Sequence, residues 1–225
     1  MSFPARLPIP TPVLAGIPSF LGARIADIER IGPSDIALVG LFLDHGGRAG
    51  FGARFSARQI RYAWAETAVL LPPDTLARCV DLGDLNVFPL EPERQEAAFR
   101  RQIGAIAKTG AIPVIVGGRP LEAPLGTYAG LERTVKLGEA DSPERLSTRI
   151  ALLIDLAESL NWKSPTGAFG RVAETISRLP AGRIGAVHVT GVAPELDVDG
   201  RQNAAFAAGI LATLVRVLAG SRVCP

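Results

Sequence analysis

The sequence predicts an α/β fold, a three-layer α/β/α arrangement around a mainly parallel sheet. Short apolar segments alternate with longer segments of helical periodicity along the chain. Most of the apolar segments are continuous rather than alternating, as is typical of strands buried on both faces. Strands that alternate with helices favour right-handed crossovers and a parallel sheet covered on both sides. With 48% hydrophobic and 20% charged residues, the 225-residue chain can form a large core.

The elements follow in order along the chain. The predicted strands are residues 35–43, 77–83, 111–118, 149–155 and 183–190. The predicted helices are residues 56–71, 92–110, 169–179 and 201–220. Ser56 is a plausible N-cap of the first helix, while Pro92 and Gly110 mark the start and end of the second. Residues 121–146 have no clear period, which predicts a long loop or an irregular element.

Because no linker or repeat divides the sequence, we expect a single domain over residues 1–225. Within it, the proline-containing residues 1–30 are expected to form an extended N-terminal arm.

Composition excludes several classes of function. The net charge is +2 and the basic residues are scattered, so a nucleic-acid partner is not expected. From the sequence we expect no apolar segment long enough to span a bilayer, and therefore no membrane association. Cys79 and Cys224 lie far apart in sequence, which favours a reducing, cytoplasmic location. The only histidines are His45 and His188, so a three-histidine metal site within one chain is impossible.

Candidate site residues lie where predicted strands end. Asp44 and His45 follow the first strand and enter a glycine-rich loop that carries Arg48 and Arg54. His45 with Asp44 can act as a base, or it can be a loop histidine bonded to the backbone, and we favour the second interpretation. The loop lacks the G-x-G-x-x-G and G-K-[ST] motifs, so phosphate binding is not favoured. His188 lies within a predicted strand, and we therefore expect it to be a core histidine with a local partner.

Five segments in order resemble the ureohydrolase family of arginase, agmatinase and formimidoylglutamase. They are GIPSFLGA, DIALVGLFLDHGGRAGFGARFSARQIR, DLGDLNVFP, AIPVIVGG and VTGVAPELDVDGRQNAAFAAGILATLV. The resemblance implies an arginase-like fold, here with the central metal-bearing part trimmed. It also implies a site in which two manganese ions activate a bridging water for attack on a guanidinium carbon.

The residues at the motif positions depart from that family. Where the family has G-D-H, Arg119 and Pro120 follow the two glycines, and nothing matches D-A-H-x-D. Asp155 retains the first carboxylate of D-x-D, so it is a single remnant ligand, and Ala157 replaces the second. Gly191 stands where the guanidinium-binding glutamate is expected. We expect Asp155 either to cap the following turn or to pair with Arg119.

The resemblance and these departures lead to three functional hypotheses. The first is a non-catalytic arginase- or agmatinase-like protein without a cofactor, a structural or regulatory partner that forms a homo- or hetero-oligomer with a ureohydrolase-like chain. The second is a manganese-dependent hydrolase of a guanidino or amidino compound, with ligands completed by another subunit or by Asp44, His45, Asp81 and Asp84. The third is a module that binds a small anionic metabolite through Arg48, Arg54 and Arg119.

Overall fold

The computed structural model describes residues 18–33, 35–44, 52–66, 71–88, 90–121, 123–137, 148–159, 165–192 and 202–220. The strands are β1 (Arg24–Ile25), β2 (Ile36–Gly40), β3 (Cys79–Asp84), β4 (Ile112–Val116), β5 (Thr134–Lys136), β6 (Ile150–Asp155) and β7 (Ile184–Thr190). The helices are α1 (Ser56–Glu66), α2 (Pro73–Arg78), α3 (Pro92–Lys108), α4 (Leu125–Ala129), α5 (Leu156–Ser159), α6 (Pro165–Ser177) and α7 (Gln202–Gly220).

The seven strands form one sheet in the order β1-β3-β2-β4-β7-β6-β5. All strand pairings are parallel, which confirms the predicted fold class. The carboxyl ends of all the strands therefore lie at one edge of the sheet. In open α/β sheets, ligands bind outside this edge, so it is the first place to look for a site.

Two apolar cores lie on opposite faces of the sheet and create the three layers. On one face, side chains such as Leu38, Val114 and Val187 pack against α1, α6 and α7. On the other face, side chains such as Val39 and Ile115 pack against α3 and α4. The continuous apolar pattern of the central strands reflects this burial from both sides, and every residue of β2, β4 and β7 is buried.

The structure corrects several details of the sequence prediction. All five predicted strands are present, but the short edge strands β1 and β5 were not predicted, since each offers too few residues for a recognisable pattern. The segment 121–146, for which an irregular element was expected, contains α4 and β5 within its described part. Residues 18–30 do not form an extended arm: Phe20 is fully buried and β1 pairs with β3. Residues 1–17 lie outside the described part of the chain.

Helix α7 is a core helix that is also apolar. Among the described residues it is the one helix long and apolar enough to cross a membrane, with a mean hydropathy of 1.6. We expected no segment long and apolar enough to span a bilayer, and this expectation was wrong, because α7 meets both the length and the hydropathy criterion. Most of the helix is buried in this structure, where it packs against α1 and α6. The buried core helix of a soluble protein can meet the same criteria of length and hydropathy.

Candidate functional site at the carboxyl edge of the sheet

The loops after β2 and β4 meet at the carboxyl edge of the sheet. The N–H of Arg119, after β4, donates to the carbonyl of Leu43, after β2, over 3.1 Å. Asp155 is the last residue of β6 and lies opposite Thr190 of β7 in the parallel register. The sheet thus brings Asp44, Arg54, Arg119 and Asp155 to one edge. His45 and Arg48 lie outside the described residues.

The turn of Gly117, Gly118 and Arg119 is held by its own protein neighbours. The N–H of Gly117 donates to the Val189 carbonyl over 2.8 Å, and that of Gly118 donates to the Ser56 hydroxyl over 3.1 Å. Since the Arg119 N–H is also donated, all three amides of the turn are satisfied within the chain. The turn therefore offers no nest of backbone N–H groups to an anion.

Close approach to helix α1 requires glycine in this turn. Gly117 has a φ of +85°, and a Cβ atom there would lie 2.4 Å from the Oγ of Ser56. Ser56 also donates its hydroxyl proton to the carbonyl of Ala53. Its side chain thus joins α1 to the turn. Ser56 is not the N-cap that we predicted from sequence, because it is the first residue of α1 and its backbone is already helical, with a φ of −59° and a ψ of −44°.

The carbonyl groups of the turn are bound by two buried side chains of β7. His188 lies 3.1 Å from the carbonyl of Gly117 through Nε2, and Thr190 donates its hydroxyl proton to the carbonyl of Gly118 over 2.5 Å. Burial lowers the pKa of His188 to about 4, while the Gly117 carbonyl acts in the opposite direction. The imidazole is therefore neutral at pH 7 and donates from Nε2. This confirms the prediction of a core histidine with a local partner.

Asp44 organises the glycine-rich loop. Its Oδ2 accepts from the N–H of Gly52 over 3.1 Å, and its Oδ1 accepts from the N–H of Arg54 over 2.6 Å. The guanidinium of Arg54 lies 3.3 Å from the same carboxylate and stacks on the ring of Phe55. Both oxygens of Asp44 are consequently engaged by the protein, and one of the candidate anion-binding arginines already has an anionic partner.

Asp81 and Asp84, which the hydrolase hypothesis counted as ligands, bind Arg61 of α1. Asp81 receives Nε and Nη2 of Arg61 over 2.9 Å each, and Nη1 lies 2.8 Å from Asp84. The N–H groups of Phe20 and Gly83 complete the shell of Asp81. Burial alone would lower the pKa of Arg61, but hydrogen bonds and charge from both carboxylates raise it. This cluster stabilises the fold and leaves no free oxygen pair on Asp81.

The remnant ligand Asp155 caps the turn that follows it. Its Oδ1 accepts from the N–H of Ala157 over 3.0 Å, which confirms the capping interpretation. Gly191 lies beside it with a φ of +79°, and a Cβ atom at Gly191 would stand 2.3 Å from that oxygen and 2.4 Å from the Ala157 nitrogen. No side chain can be added at Gly191 without moving the Asp155 carboxylate and the start of α5. The ion pair between Asp155 and Arg119 stays a prediction.

The donors described at this edge do not fit a pair of manganese ions. Such ions require several carboxylate oxygens and imidazole nitrogens in one place. Within the described ranges no group of three or more His, Cys, Asp and Glu side chains is arranged to hold a metal. The carboxylates of Asp44, Asp81 and Asp155 accept hydrogen bonds from the protein instead.

Sequence reasoning missed Arg61 and Thr190, and it assigned Ser56 a helix-capping role in place of its contact with the turn. Arg61 adjoins Ile60 on a helix face that also carries Trp64, and an arginine there signals a buried anionic partner. That partner of Arg61 is provided by Asp81 and Asp84, the two aspartates of the DLGD segment. No comparable signal exists for Ser56 or Thr190, because their hydroxyl groups act only on the backbone of a turn that is distant in sequence.

Comparison with known proteins finds a match between part of the chain and one family model, and a fold that the chain shares with solved structures. Residues 34–139 match the sequence model of the Arginase family. This match runs from the start of β2 through β5 and ends before the strands that carry Asp155 and His188.

Solved structures of three ureohydrolases resemble the chain over most of its length. A proclavaminate amidino hydrolase from Streptomyces clavuligerus is 16% identical with a TM-score of 0.68, covering 92% of this chain and 99% of its own. A hypothetical agmatinase from Burkholderia thailandensis is 16% identical with a TM-score of 0.71, covering 93% of each. Formimidoylglutamase from Bacillus subtilis is 11% identical with a TM-score of 0.68, covering 91% of this chain and 93% of its own. At these identities the likeness establishes the fold.

Proposed function

We propose that this chain, whose residues 34–139 belong to the Arginase family and whose fold is that of the ureohydrolases, is a non-catalytic relative of those enzymes. It would act as a structural or regulatory partner in an oligomer with a ureohydrolase-like chain. The proposal includes a cytoplasmic location, which the free thiol of the buried Cys79 supports.

The observation that carries this proposal is the conformation of Gly191. In the resembling family this turn bears the glutamate that binds the guanidinium group. Here the backbone adopts a left-handed conformation, and the space of a Cβ atom is filled by Asp155 and the backbone of α5. The change therefore goes beyond the loss of one side chain, since a glutamate does not fit the present path of the chain.

Charge at the edge supports the same conclusion. Two divalent ions about 4 Å apart repel each other by ~17 kcal/mol at an effective dielectric constant of ~20. Only a set of anionic ligands can offset that repulsion and the lost hydration. The residue that follows Gly118 is Arg119, which adds a positive charge, while the nearby Asp44 accepts hydrogen bonds from its own loop.

Association with a relative can be tested by co-expression. The tagged full chain would be produced together with an untagged ureohydrolase encoded by the same genome, and the complex would be isolated in two affinity steps. We expect a stoichiometric complex and a change in the partner's thermal midpoint or turnover. An unrelated α/β protein with the same tag is the control. A chain that never retains the ureohydrolase, and that leaves its activity unchanged, contradicts the partner role.

A second candidate is the binding of a small anion, which Arg119 favours. Its guanidinium group belongs to a half-buried residue at the edge where ligands bind in open α/β sheets. Because the amides of the turn are donated internally, such a ligand would depend on side chains alone. Thermal shifts with citrate, succinate and inorganic phosphate, compared between the wild type and Arg119→Gln, test this candidate. A wild type that responds to none of them contradicts it.

The hydrolase hypothesis requires ligands from outside the described residues of this chain, and another subunit is the source that we propose. With Asp44, Asp81 and Asp84 engaged by the protein, a partner chain would have to supply most of the ligands to manganese. Release of urea or ammonia from guanidino compounds by the co-expressed complex, but not by either chain alone, would support it. The same assay on the isolated chain is expected to give no product.

A further inference from the structure

A groove between α3 and α4 lies on the solvent side of these two helices. It encloses about 920 Å³, which is within the range of about 300–1,000 Å³ that is typical of sites for small organic ligands. Lys108 lines the groove and is the last residue of α3, and β4 begins soon after it at Ile112. The groove therefore extends toward the amino edge of the sheet, away from the carboxyl-edge site.

Small residues keep the groove open beside a fixed aromatic wall. At Gly104 the two helices are close, since a Cβ atom there would lie 3.4 Å from the carbonyl oxygen of Tyr128. The ring of Tyr128 packs edge-on against Phe99 with the centroids 6.1 Å apart, and its hydroxyl donates to Glu96. The rest of the lining is mostly alanine and glycine, including Ala97. The floor is consequently apolar and free of large side chains.

The charges that line the groove are complementary to a ligand with a single negative charge. Three cationic and two anionic side chains line it, which are Arg100, Arg101, Lys108, Glu93 and Glu96. One net positive charge is therefore left. Glu96 is already bound, because it pairs with Arg100 over 2.8 Å and accepts the tyrosine hydroxyl. Within the described part of the chain, the side chains of Arg101 and Lys108 form no ion pair or hydrogen bond.

Of these two cations, Arg101 is the better suited to bind an anion directly. Arg101 and Lys108 lie seven positions apart, about 10 Å along the helix, and Gly104 lies between them on the same side. Both side chains can therefore reach a group that lies above this glycine. Lys108 also stands at the C-terminus of α3, where a cation stabilises the last carbonyl groups. Arg101 has no such role, and its guanidinium offers two parallel N–H donors to a carboxylate.

We propose that the groove binds a small amphiphilic acid, a molecule with one carboxylate and an apolar body, of the kind that a medium-chain fatty acid represents. Arg101 binds the carboxylate, and Lys108 adds a second positive charge beside it. The apolar body lies on the alanine and glycine floor, which includes Ala97. Glu93 also lines the groove and disfavours a ligand with a second anionic group. This inference is independent of whether the chain is catalytic.

Isothermal titration calorimetry of the full chain with decanoate, below its micellar concentration, tests the site. Acetate supplies the carboxylate without the apolar body, and decyltrimethylammonium supplies the apolar body with the opposite charge. Of the three probes, only decanoate is expected to bind. Arg101→Gln should weaken this binding about tenfold, because it removes the guanidinium and the net positive charge of the groove. Lys108→Gln should weaken it by only about two- to threefold.

Two further variants separate a site from general attraction to the surface. Ala97→Leu keeps every charge but fills part of the groove, so it should also weaken decanoate binding about tenfold. Arg94→Gln is the matched control, since Arg94 is exposed on the same helix and pairs with Glu91. Far-ultraviolet circular dichroism would confirm that each variant is folded. A wild type that does not bind decanoate, equal binding of decyltrimethylammonium, or R101Q and A97L that bind decanoate as tightly as R94Q does, overturns the proposal.

Discussion

The buried cluster around Arg61 offers the strongest test of how the fold is held together. We consider the substitution Arg61→Met, which keeps most of the side-chain length and removes the charge. In the native structure Asp81 is buried, and four hydrogen bonds surround its carboxylate. The substitution removes the two that come from the guanidinium and leaves only the N–H groups of Phe20 and Gly83.

The expected cost follows from leaving a buried charge without its partner. Breaking a buried ion pair in this way destabilises a protein by about 3–5 kcal/mol. For a chain of this size, 1 kcal/mol corresponds to roughly 2–4 °C in the thermal midpoint, so we expect a decrease of roughly 6–20 °C. Arg61→Lys should be intermediate, since an ammonium group keeps the charge but not the two parallel hydrogen bonds to Asp81.

Urea unfolding followed by circular dichroism measures the effect. Arg58→Met is the matched control, because Arg58 lies on the same helix, is exposed and stacks on the ring of Tyr62. The pair R61M/D81N should be less destabilised than R61M, since it no longer buries an unpaired carboxylate. If R61M unfolds within about 1 kcal/mol of R58M, the explanation of the cluster as a buried ionic anchor is refuted.

Three further predictions concern the carboxyl edge. As the pH falls from 6.5 to about 4, the wild type should lose up to about 3 kcal/mol of unfolding free energy, because the unfolded chain binds a proton that the neutral, buried His188 does not. In urea unfolding, His188→Gln should lack this pH-dependent loss, and a variant with the same pH profile as the wild type would contradict the prediction. Gly191→Ala should destabilise the protein by about 2–5 kcal/mol from left-handed strain and overlap with Asp155, whereas a thermal midpoint equal to that of the wild type would show that the turn is free to move. The pair Arg119→Asp and Pro120→His restores the family motif but should not confer manganese binding in calorimetry, since the remaining ligands are lacking; micromolar binding would refute this.

Hydrophobic pattern was sufficient to predict most of the fold. The central strands are buried on both faces, so their apolar residues are continuous, and the segments around Leu38, Val114 and Val187 were identified for that reason. The edge strands β1 and β5 contain two and three residues and are stabilised by a neighbour that is distant in sequence. No local pattern of that length can distinguish a strand from a loop.

The site could be predicted only in part, because its character depends on contacts between distant residues. The departures at Arg119 and Gly191 were visible from the motifs. Capping by Asp155 was one of the two roles expected for that residue. The role of Asp44 as an acceptor of backbone N–H groups was not predicted, since an aspartate after a strand is equally consistent with a metal ligand. The interaction of Arg61 with Asp81 spans 20 positions in sequence and required the structure.

Metal content is the most direct test of the central claim. The purified chain would be expressed in medium supplemented with manganese, dialysed, and analysed by inductively coupled plasma mass spectrometry beside an active agmatinase treated in the same way. We expect the agmatinase to retain its manganese and this chain to contain well below one equivalent of manganese, nickel or zinc. Two retained ions per chain, together with urea released from a guanidino substrate, would contradict the assignment of a non-catalytic protein.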